Sequence, residues 1–241
     1  MVYFISDVHL GFYEREKDIQ REELLLQFLK KISLECNKLF ILGDLFDYWF
    51  EYKTVIPRYF YRTLTALRTM KNRGIEIEYV MGNHDFGHRD FFEKEIGIKI
   101  MQDDITREIN GKKFYLSHGD GKAYNDAPYR FIKKILRNRL AQNLYYALHP
   151  DIGIGMALSS SKTSRKYTDK KDYSQKDGMR DFALKKIEEG YDYVIMGHRH
   201  LFIEEKHRNG KYINLGEWFT EPHYAVFNGK DLKLKKVKDK I

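Results

Sequence analysis

Histidine, aspartate and asparagine stand in short clusters along this chain, and five of its nine histidines lie in them. Asp7 and His9 are two residues apart, and so are His198 and His200. Side chains two apart at the end of an extended strand point the same way, so each pair can bind one cation. Seven candidate ligands result, enough for two ions that share a carboxylate: Asp7, His9, Asp44, Asn83, His118, His198 and His200. This mixture of nitrogen and oxygen donors suits Mn, Fe or Zn better than Ca or Mg.

Each cluster on its own has an ordinary explanation. An Asp-x-His pair is often a surface or capping pair, Gly-Asn-His-Asp is rich in turn-forming residues, and a His-x-His pair can serve packing. The order of the clusters favours the metal interpretation, because every one of them follows an apolar run of strand length.

These apolar runs predict the elements that position the clusters. They are rich in Ile, Val, Tyr and Phe, and they cover residues 3–5, 39–42, 75–81, 114–116, 191–196 and 212–215. Their length and composition predict strands. Helical periodicity at 24–32, 59–70 and 182–187 predicts helices between them. The alternation predicts an α/β fold in which polar groups at the carboxyl ends of strands meet in one crevice.

The stretch 122–180 departs from this alternation. It holds 13 Lys and Arg against 5 Asp and Glu, a surplus equal to the net charge of +8 of the whole chain. Its first part predicts an amphipathic helix with Phe131, Ile132, Ile135 and Leu136 on one face and Arg130, Lys133, Lys134 and Arg137 on the other. Residues 159–172 predict a polar loop. We therefore predict one domain, 1–241, with a helical lid insert at 122–180 that faces phosphates or an anionic surface.

The remaining composition predicts an ordinary folded protein of the cytosol. Hydrophobic residues make up 42% and aromatic residues 15%, and Cys36 is the single cysteine. No signal peptide or membrane-spanning run is predicted, and a lone cysteine suits a reducing compartment. The lysine-rich run 231–241 predicts an edge strand with a frayed tail.

The series of clusters resembles the signature of the metallophosphoesterase (calcineurin-like) superfamily, and it spans Asp7 to His200. This resemblance implies a β-sandwich flanked by helices, with two divalent cations at its edge. The first ion would be held by Asp7, His9, Asp44 and His200, and the second by Asp44, Asn83, His118 and His198. Such a pair lowers the pKa of a bridging water for in-line attack on phosphorus. The resemblance also implies that His84 donates to the phosphoryl or leaving oxygen and that Asp47 orients His84.

Three motifs are similar to those of the UDP-2,3-diacylglucosamine diphosphatase family of lipid A synthesis: Ser-Asp-Val-His-Leu-Gly, Gly-Asp-Leu-Phe-Asp-Tyr-Trp and Gly-Asn-His-Asp-Phe. The resemblance implies cleavage of the substrate pyrophosphate to UMP and 2,3-diacylglucosamine 1-phosphate, with Mn²⁺ as the expected metal. The insert would line a slot for acyl chains and meet the anionic cytoplasmic face of the inner membrane. The implied substrate contacts are Asn83, His84, Asp126, Tyr129, Ser160, Lys162 and Arg165. Many members of the family have Arg where this chain has His84.

Two other interpretations remain open at this point. A nucleotide or nucleic-acid phosphodiesterase would use the basic insert to follow a phosphate backbone. The apolar face of the insert exceeds what such a backbone uses, so we do not expect nucleic acid as the partner. A metal-free scaffold would lack some of the ligands, whereas all seven are present.

Overall fold

A computed structural model of the protein describes residues 1–124, 126–168 and 177–237, apart from the side chains of 139 and 160–168. Eleven strands form two mixed sheets within these ranges. The first sheet has the order β11-β10-β1-β2-β3-β4, with β1 to β4 parallel. Its strands are β1 Val2–Ile5, β2 Lys38–Leu42, β3 Glu76–Val80, β4 Lys99–Met101, β10 His223–Phe227 and β11 Leu232–Lys236.

The second sheet has the order β5-β6-β7-β9-β8, with β6, β7 and β9 parallel. Its strands are β5 Ile105–Ile109, β6 Lys112–Leu116, β7 Tyr193–Met196, β8 Phe202–His207 and β9 Gly210–Leu215. The six apolar runs of the sequence coincide with β1, β2, β3, β6, β7 and β9. The predicted edge strand near the C-terminus is also present as β11, and residues 238–241 lie outside the described part of the chain.

Helices cover both outer faces of the two sheets. Helices α1 Arg15–Ile32 and α2 Tyr61–Asn72 pack on the first sheet, and α6 Gly178–Glu188 packs on the second. Alternation along β1 explains the layering, because Tyr3 and Ile5 join the helix-covered core whereas Phe4 joins the core between the sheets. In that inner core Phe4 stacks on Phe40 of its own sheet and on Phe114 of the other. The predicted α/β fold with a β-sandwich between helices is confirmed.

In the described part of the insert lie three complete helices, α3 Ala127–Leu136, α4 Arg139–Tyr146 and α5 Pro150–Thr168, and α6 begins near its end. The predicted loop at 159–172 is wrong as far as Thr168, where α5 ends, and 169–172 lie outside the described residues. Ile154, Ala157 and Leu158 pack against the core and anchor α5, and the serines and lysines that follow continue a helix at small cost. That these helices act as a lid stays a prediction. No helix of the described ranges is long and apolar enough to cross a bilayer.

Candidate metal centre

Parallel strands bring the seven candidate ligands to one end of the sandwich. They lie in the loops after β1, β2, β3, β6 and β7, whose carboxyl ends point the same way. The loops also bind one another, since the His9 amide donates to the Asp44 carbonyl (2.9 Å) and the Gly197 amide donates to the His118 carbonyl (2.9 Å). These two bonds join loops of the same sheet, and the two sheets are joined by the His198 amide, which donates to the Asp7 carboxylate (2.9 Å).

The backbone is strained at most of the candidate ligands. In the described part of the chain seven non-glycine residues have positive φ, and five of them are Asp7 (52°), His9 (50°), Asp44 (53°), His198 (67°) and His200 (57°). Such conformations cost roughly 1–3 kcal/mol each and concentrate at functional sites, where the surrounding structure holds them in place. The observed strain therefore marks this loop cluster as a functional site.

The first group of donors consists of Asp7, His9 and His200. His200 Nε2 lies 3.4 Å from Asp7 Oδ1 and 3.2 Å from His9 Nε2. His9 Nε2 lies 3.7 Å from both Asp7 Oδ1 and Asp44 Oδ2. All four side chains predicted for the first ion are thus neighbours.

The second group is built around the Asp44 carboxylate. His118 Nε2 lies 3.2 Å from Asp44 Oδ2 and 2.9 Å from Asn83 Oδ1. Asp44, His118 and His198 offer donor atoms that all lie within 4.8 Å of one another. Asp44 contacts members of both groups, which is the position expected of a carboxylate shared between two ions.

These separations fit bound cations. Two donors that are each about 2.1 Å from a common ion lie roughly 3–4 Å apart, as the closest pairs here do. The His9 and His200 nitrogens at 3.2 Å would also be poor neighbours without a proton or a cation between them. The donor set of imidazole, carboxylate and amide oxygen is borderline in softness and suits first-row transition metals. The residues present therefore fit divalent metal.

His84 and Asp47 lie beside the first group. His84, His9 and Asp44 can bring donor atoms within 4.8 Å, so His84 is close enough to reach a cation as well as a substrate oxygen. The sequence resemblance implies that Asp47 orients His84. Its carboxylate lies closer to His9 Nδ1 (3.1 Å) than to His84 Nδ1 (3.7 Å), while its carbonyl lies 3.3 Å from His84 Nδ1. Asp47 therefore contacts both imidazoles through different atoms.

The charges of the cluster shift the pKa values of its members. Burial opposes the charged form of His9, but hydrogen bonds to two aspartates raise its pKa to about 9. Burial also opposes protonation of His118, and the charge of Asp44 overcomes it and raises the pKa to about 10. For His198, burial and the positive charge of His118 lower the pKa to about 4. Despite their burial, the pKa of Asp7 and that of Asp44 are held well below the usual range by the surrounding histidines.

Two glycines leave room for the carboxylates. A Cβ on Gly82 would lie 2.0 Å from Asp44 Oδ1, and one on Gly197 would lie 2.2 Å from Asp7 Oδ2. Neither carboxylate can retreat, because each is buried and hydrogen-bonded to backbone amides of His84 or His198. Any side chain at these two positions would therefore displace a candidate ligand.

The predicted substrate contacts are only partly described. Tyr129 of α3 donates its hydroxyl to the buried Asp120 carboxylate (2.7 Å), directly beside the metal-centre loops, and Asp126 is buried at the start of α3. The side chains of Ser160, Lys162 and Arg165 lie outside the described residues. The substrate roles of these five residues, and those of Asn83 and His84, stay predictions.

The structure adds residues that the sequence reasoning did not assign. Asp120, the last residue of Ser-His-Gly-Asp, accepts from Tyr129 and from Lys133 Nζ (2.6 Å) and so fastens α3 to the loop of His118. Asp85 accepts from the amides of Gly82 (2.8 Å) and Leu45 (2.9 Å), which joins two of the ligand loops. Asp85 stands in the Gly-Asn-His-Asp-Phe motif and Asp120 stands two residues after the candidate ligand His118, and this was the one available signal for each.

A stack of an arginine on a phenylalanine ring packs against the His9 imidazole. The Arg21 guanidinium lies 4.4 Å from the centroid of the Phe219 ring, and this ring stacks on the His9 imidazole at 5.4 Å. Arg21 Nη1 also donates to the His9 carbonyl (2.9 Å). No sequence pattern points to this arrangement, because its members come from three distant segments.

Comparison with known proteins agrees with this geometry. A family model described as calcineurin-like phosphoesterase matches residues 1–202. A protein of Porphyromonas gingivalis named UDP-2,3-diacylglucosamine hydrolase is 34% identical, over 99% of this chain and 98% of its own length. A protein of the same name from Haemophilus influenzae strain PittGG is 28% identical, over 90% of each chain. The solved structure of an archaeal phosphodiesterase has a TM-score of 0.50 at 16% identity over 98% of each chain, which shows the fold alone.

The matched region contains every candidate ligand from Asp7 to His200, and the two relatives cover 99% and 90% of the chain. The predicted enzyme class, a metal-dependent phosphoesterase, is thereby confirmed. The chain belongs to the calcineurin-like phosphoesterase family.

Proposed function

We propose that the chain hydrolyses UDP-2,3-diacylglucosamine at the α-phosphorus, releasing UMP and 2,3-diacylglucosamine 1-phosphate in lipid A synthesis. The names of full-length relatives support this substrate. The donor cluster supports the phosphoester chemistry. The observation that carries the lipid assignment is the orientation of α3.

Helix α3 presents its apolar face to solvent. Phe131 is 66% exposed and Ile132 53%, and Ile135 and Leu136 are exposed as well. A surface helix normally buries its apolar stripe and exposes its charges. Here Lys133 and Arg137, on the charged face, contact the loops after β6 and β3 instead. An exposed apolar patch of this kind marks a site for an apolar ligand or partner, and the two acyl chains of the substrate are such a ligand.

In the proposed centre, two divalent cations, with Mn²⁺ as the proposed metal, would be held as the resemblance implies. Asp7, His9, Asp44 and His200 hold the first, and Asp44, Asn83, His118 and His198 hold the second. When bound, such a pair supplies a hydroxide nucleophile and neutralises charge on the phosphoryl oxygens.

The chain's own residues orient the reacting groups. Asp47 keeps the His9 ring in place by its contact at Nδ1, so that Nε2 faces Asp7 and Asp44. His84, which contacts the Asp47 carbonyl, donates to a phosphoryl or leaving oxygen. Asp126 and Tyr129, at the start of α3, contact the substrate, together with Ser160, Lys162 and Arg165 of α5.

The apolar surface continues from α3 onto α4 and α5. Leu140, Leu144, Ile152 and Met156 are between 53% and 69% exposed. We propose that this surface rests on the cytoplasmic face of the inner membrane, where a diacylated substrate resides. The protein would then be cytoplasmic and peripherally bound.

Release of UMP from UDP-2,3-diacylglucosamine tests the function. The protein should form UMP in the presence of Mn²⁺, and Asp44→Ala should form none. Hydrolysis of bis(p-nitrophenyl) phosphate without any UMP from the lipid substrate would refute the lipid assignment. Rapid hydrolysis of soluble nucleotides in that case would favour the nucleotide phosphodiesterase.

A further inference from the structure

A basic cleft opens beside the metal centre, between the charged face of α3 and the ends of β3 and β4. Its volume is about 770 Å³, which lies within the range of small-molecule sites. His118 lines one end of it, and His118 Nε2 lies 3.2 Å from the Asp44 carboxylate. The cleft therefore begins at the candidate ligands themselves.

Cations on the cleft wall outnumber the acids. Five cations and three acids line it, and two of these cations are already paired, Lys133 with Asp120 (2.6 Å) and Lys122 with Asp104 (2.8 Å). The other three are Arg130, Lys134 and Arg137 of α3.

Among the described residues, no carboxylate lies within ion-pair distance of these three side chains. Arg137 donates to the carbonyls of Gln102 (2.5 Å) and Gly82 (3.1 Å), and Arg130 donates to that of Gly121 (3.3 Å). Lys134 is exposed. Gly82 directly precedes the candidate ligand Asn83, so the Arg137 guanidinium stands next to the second ion position. A polyanion that reaches the cations of the metal centre would meet these three charges next.

We propose that this cleft is the subsite for the phosphate group of a pyrophosphate substrate that is not attacked. The inference rests on the proposed function, which supplies two adjacent phosphates of which one lies on the metal ions. Guanidinium and ammonium groups bind phosphate oxygens by charge-assisted hydrogen bonds. The cleft thus selects pyrophosphate diesters over esters with a single phosphate and stabilises the charge of the departing sugar phosphate.

Comparing the inhibition constants of UDP and UMP measures how much the second phosphate contributes to binding. Both are measured as competitors of bis(p-nitrophenyl) phosphate hydrolysis at a fixed concentration of free Mn²⁺. The wild-type protein should bind UDP more tightly than UMP. In Arg130→Gln/Lys134→Gln this preference should fall by about tenfold, because charge-assisted hydrogen bonds to the second phosphate are lost. Gln preserves helix propensity, and both side chains are exposed, so the double variant should fold.

Lys31→Gln, which removes an exposed charge from α1, is the matched control and should keep the wild-type preference. Lys134→Arg should keep it too, since the positive charge is retained. An unchanged ratio of UDP to UMP affinity in the double variant would overturn the subsite, as would an equal loss for both nucleotides. Failure of the proposed function would show differently, as absence of UMP from the lipid substrate in the wild-type protein.

Discussion

Asp44 is the residue on which the two predicted ion positions depend. Its carboxylate lies 3.7 Å from His9 Nε2 and 3.2 Å from His118 Nε2, so it is the natural bridge. Asp44→Ala should lose bound metal and all activity. His84→Ala should keep its metal and lose about 100-fold or more in kcat, as expected when a positioned proton donor is removed. Metal analysis of the purified variants, alongside kcat, checks both expectations, and equal metal content would contradict this division of roles.

Arg21 should act on the metal centre through His9. Removing its stack on Phe219 and its bond to the His9 carbonyl frees the ring that faces the first ion. Arg21→Met should weaken Mn²⁺ binding by roughly 10–100-fold, the usual effect of removing a group that orients a ligand. A calorimetric Mn²⁺ titration measures this. Arg73→Met, at the exposed end of α2, is the control, and identical affinities in the two variants would rule out the positioning role.

At the residue scale, motif order was enough to select the seven candidate ligands, which the structure brings together. Their ligand roles remain predictions. Arg21 and Phe219 could not be found from the sequence, because a cation–aromatic stack between distant segments has no spacing rule. The close contact of the Asp47 carboxylate with His9 was missed for a similar reason, since the resemblance assigned it to one imidazole only.

At the scale of elements, α3 shows what periodicity can and cannot predict. The pattern separated Phe131 and Ile135 from Lys133 and Arg137, but it could not say which face would turn inward. A charged face turns inward here because Asp120 and the Gly82 carbonyl offer partners to it. Tertiary contacts also explain why the predicted loop at 159–172 was wrong. Ile154, Ala157 and Leu158 pack against the core, and the helix that they anchor continues into the polar residues that follow.

The apolar face of α3 can be tested independently of the metal centre. Phe131→Ser/Ile135→Ser removes two exposed apolar side chains, each able to contribute about 1.5–3 kcal/mol when buried against an acyl chain. KM for UDP-2,3-diacylglucosamine should rise relative to KM for bis(p-nitrophenyl) phosphate in the same variant. Leu34→Ser, at an 85% exposed site after α1, should not alter this ratio. A ratio unchanged in the α3 variant would contradict the acyl slot.

At the scale of the whole molecule, the sandwich places buried acids and imidazoles from both sheets within one cluster, so metal binding and protonation are linked. In the metal-free protein His9 and His118, with pKa values of about 9 and about 10, carry protons at neutral pH. His198, with a pKa of about 4, does not. Metal ligation requires neutral imidazole, so filling both positions near pH 7.5 should release about two protons from these histidines, in addition to the proton that a bridging water loses when it becomes hydroxide.

The sign of the pH dependence follows from the raised pKa values. The apparent metal affinity should fall as pH is lowered. It should rise with pH up to about 9 to 10, where the two histidines are already deprotonated in the absence of metal. Calorimetry in buffers of different ionisation enthalpy counts the protons. Metal binding without proton release would contradict the assignment of these two histidines.

The most direct measurement is an anomalous difference map from crystals of the Mn²⁺-loaded protein. Two peaks a few ångströms apart are expected, one among Asp7, His9 and His200, the other among Asn83, His118 and His198, with Asp44 between them. A single peak, or peaks away from these side chains, would contradict the dinuclear centre.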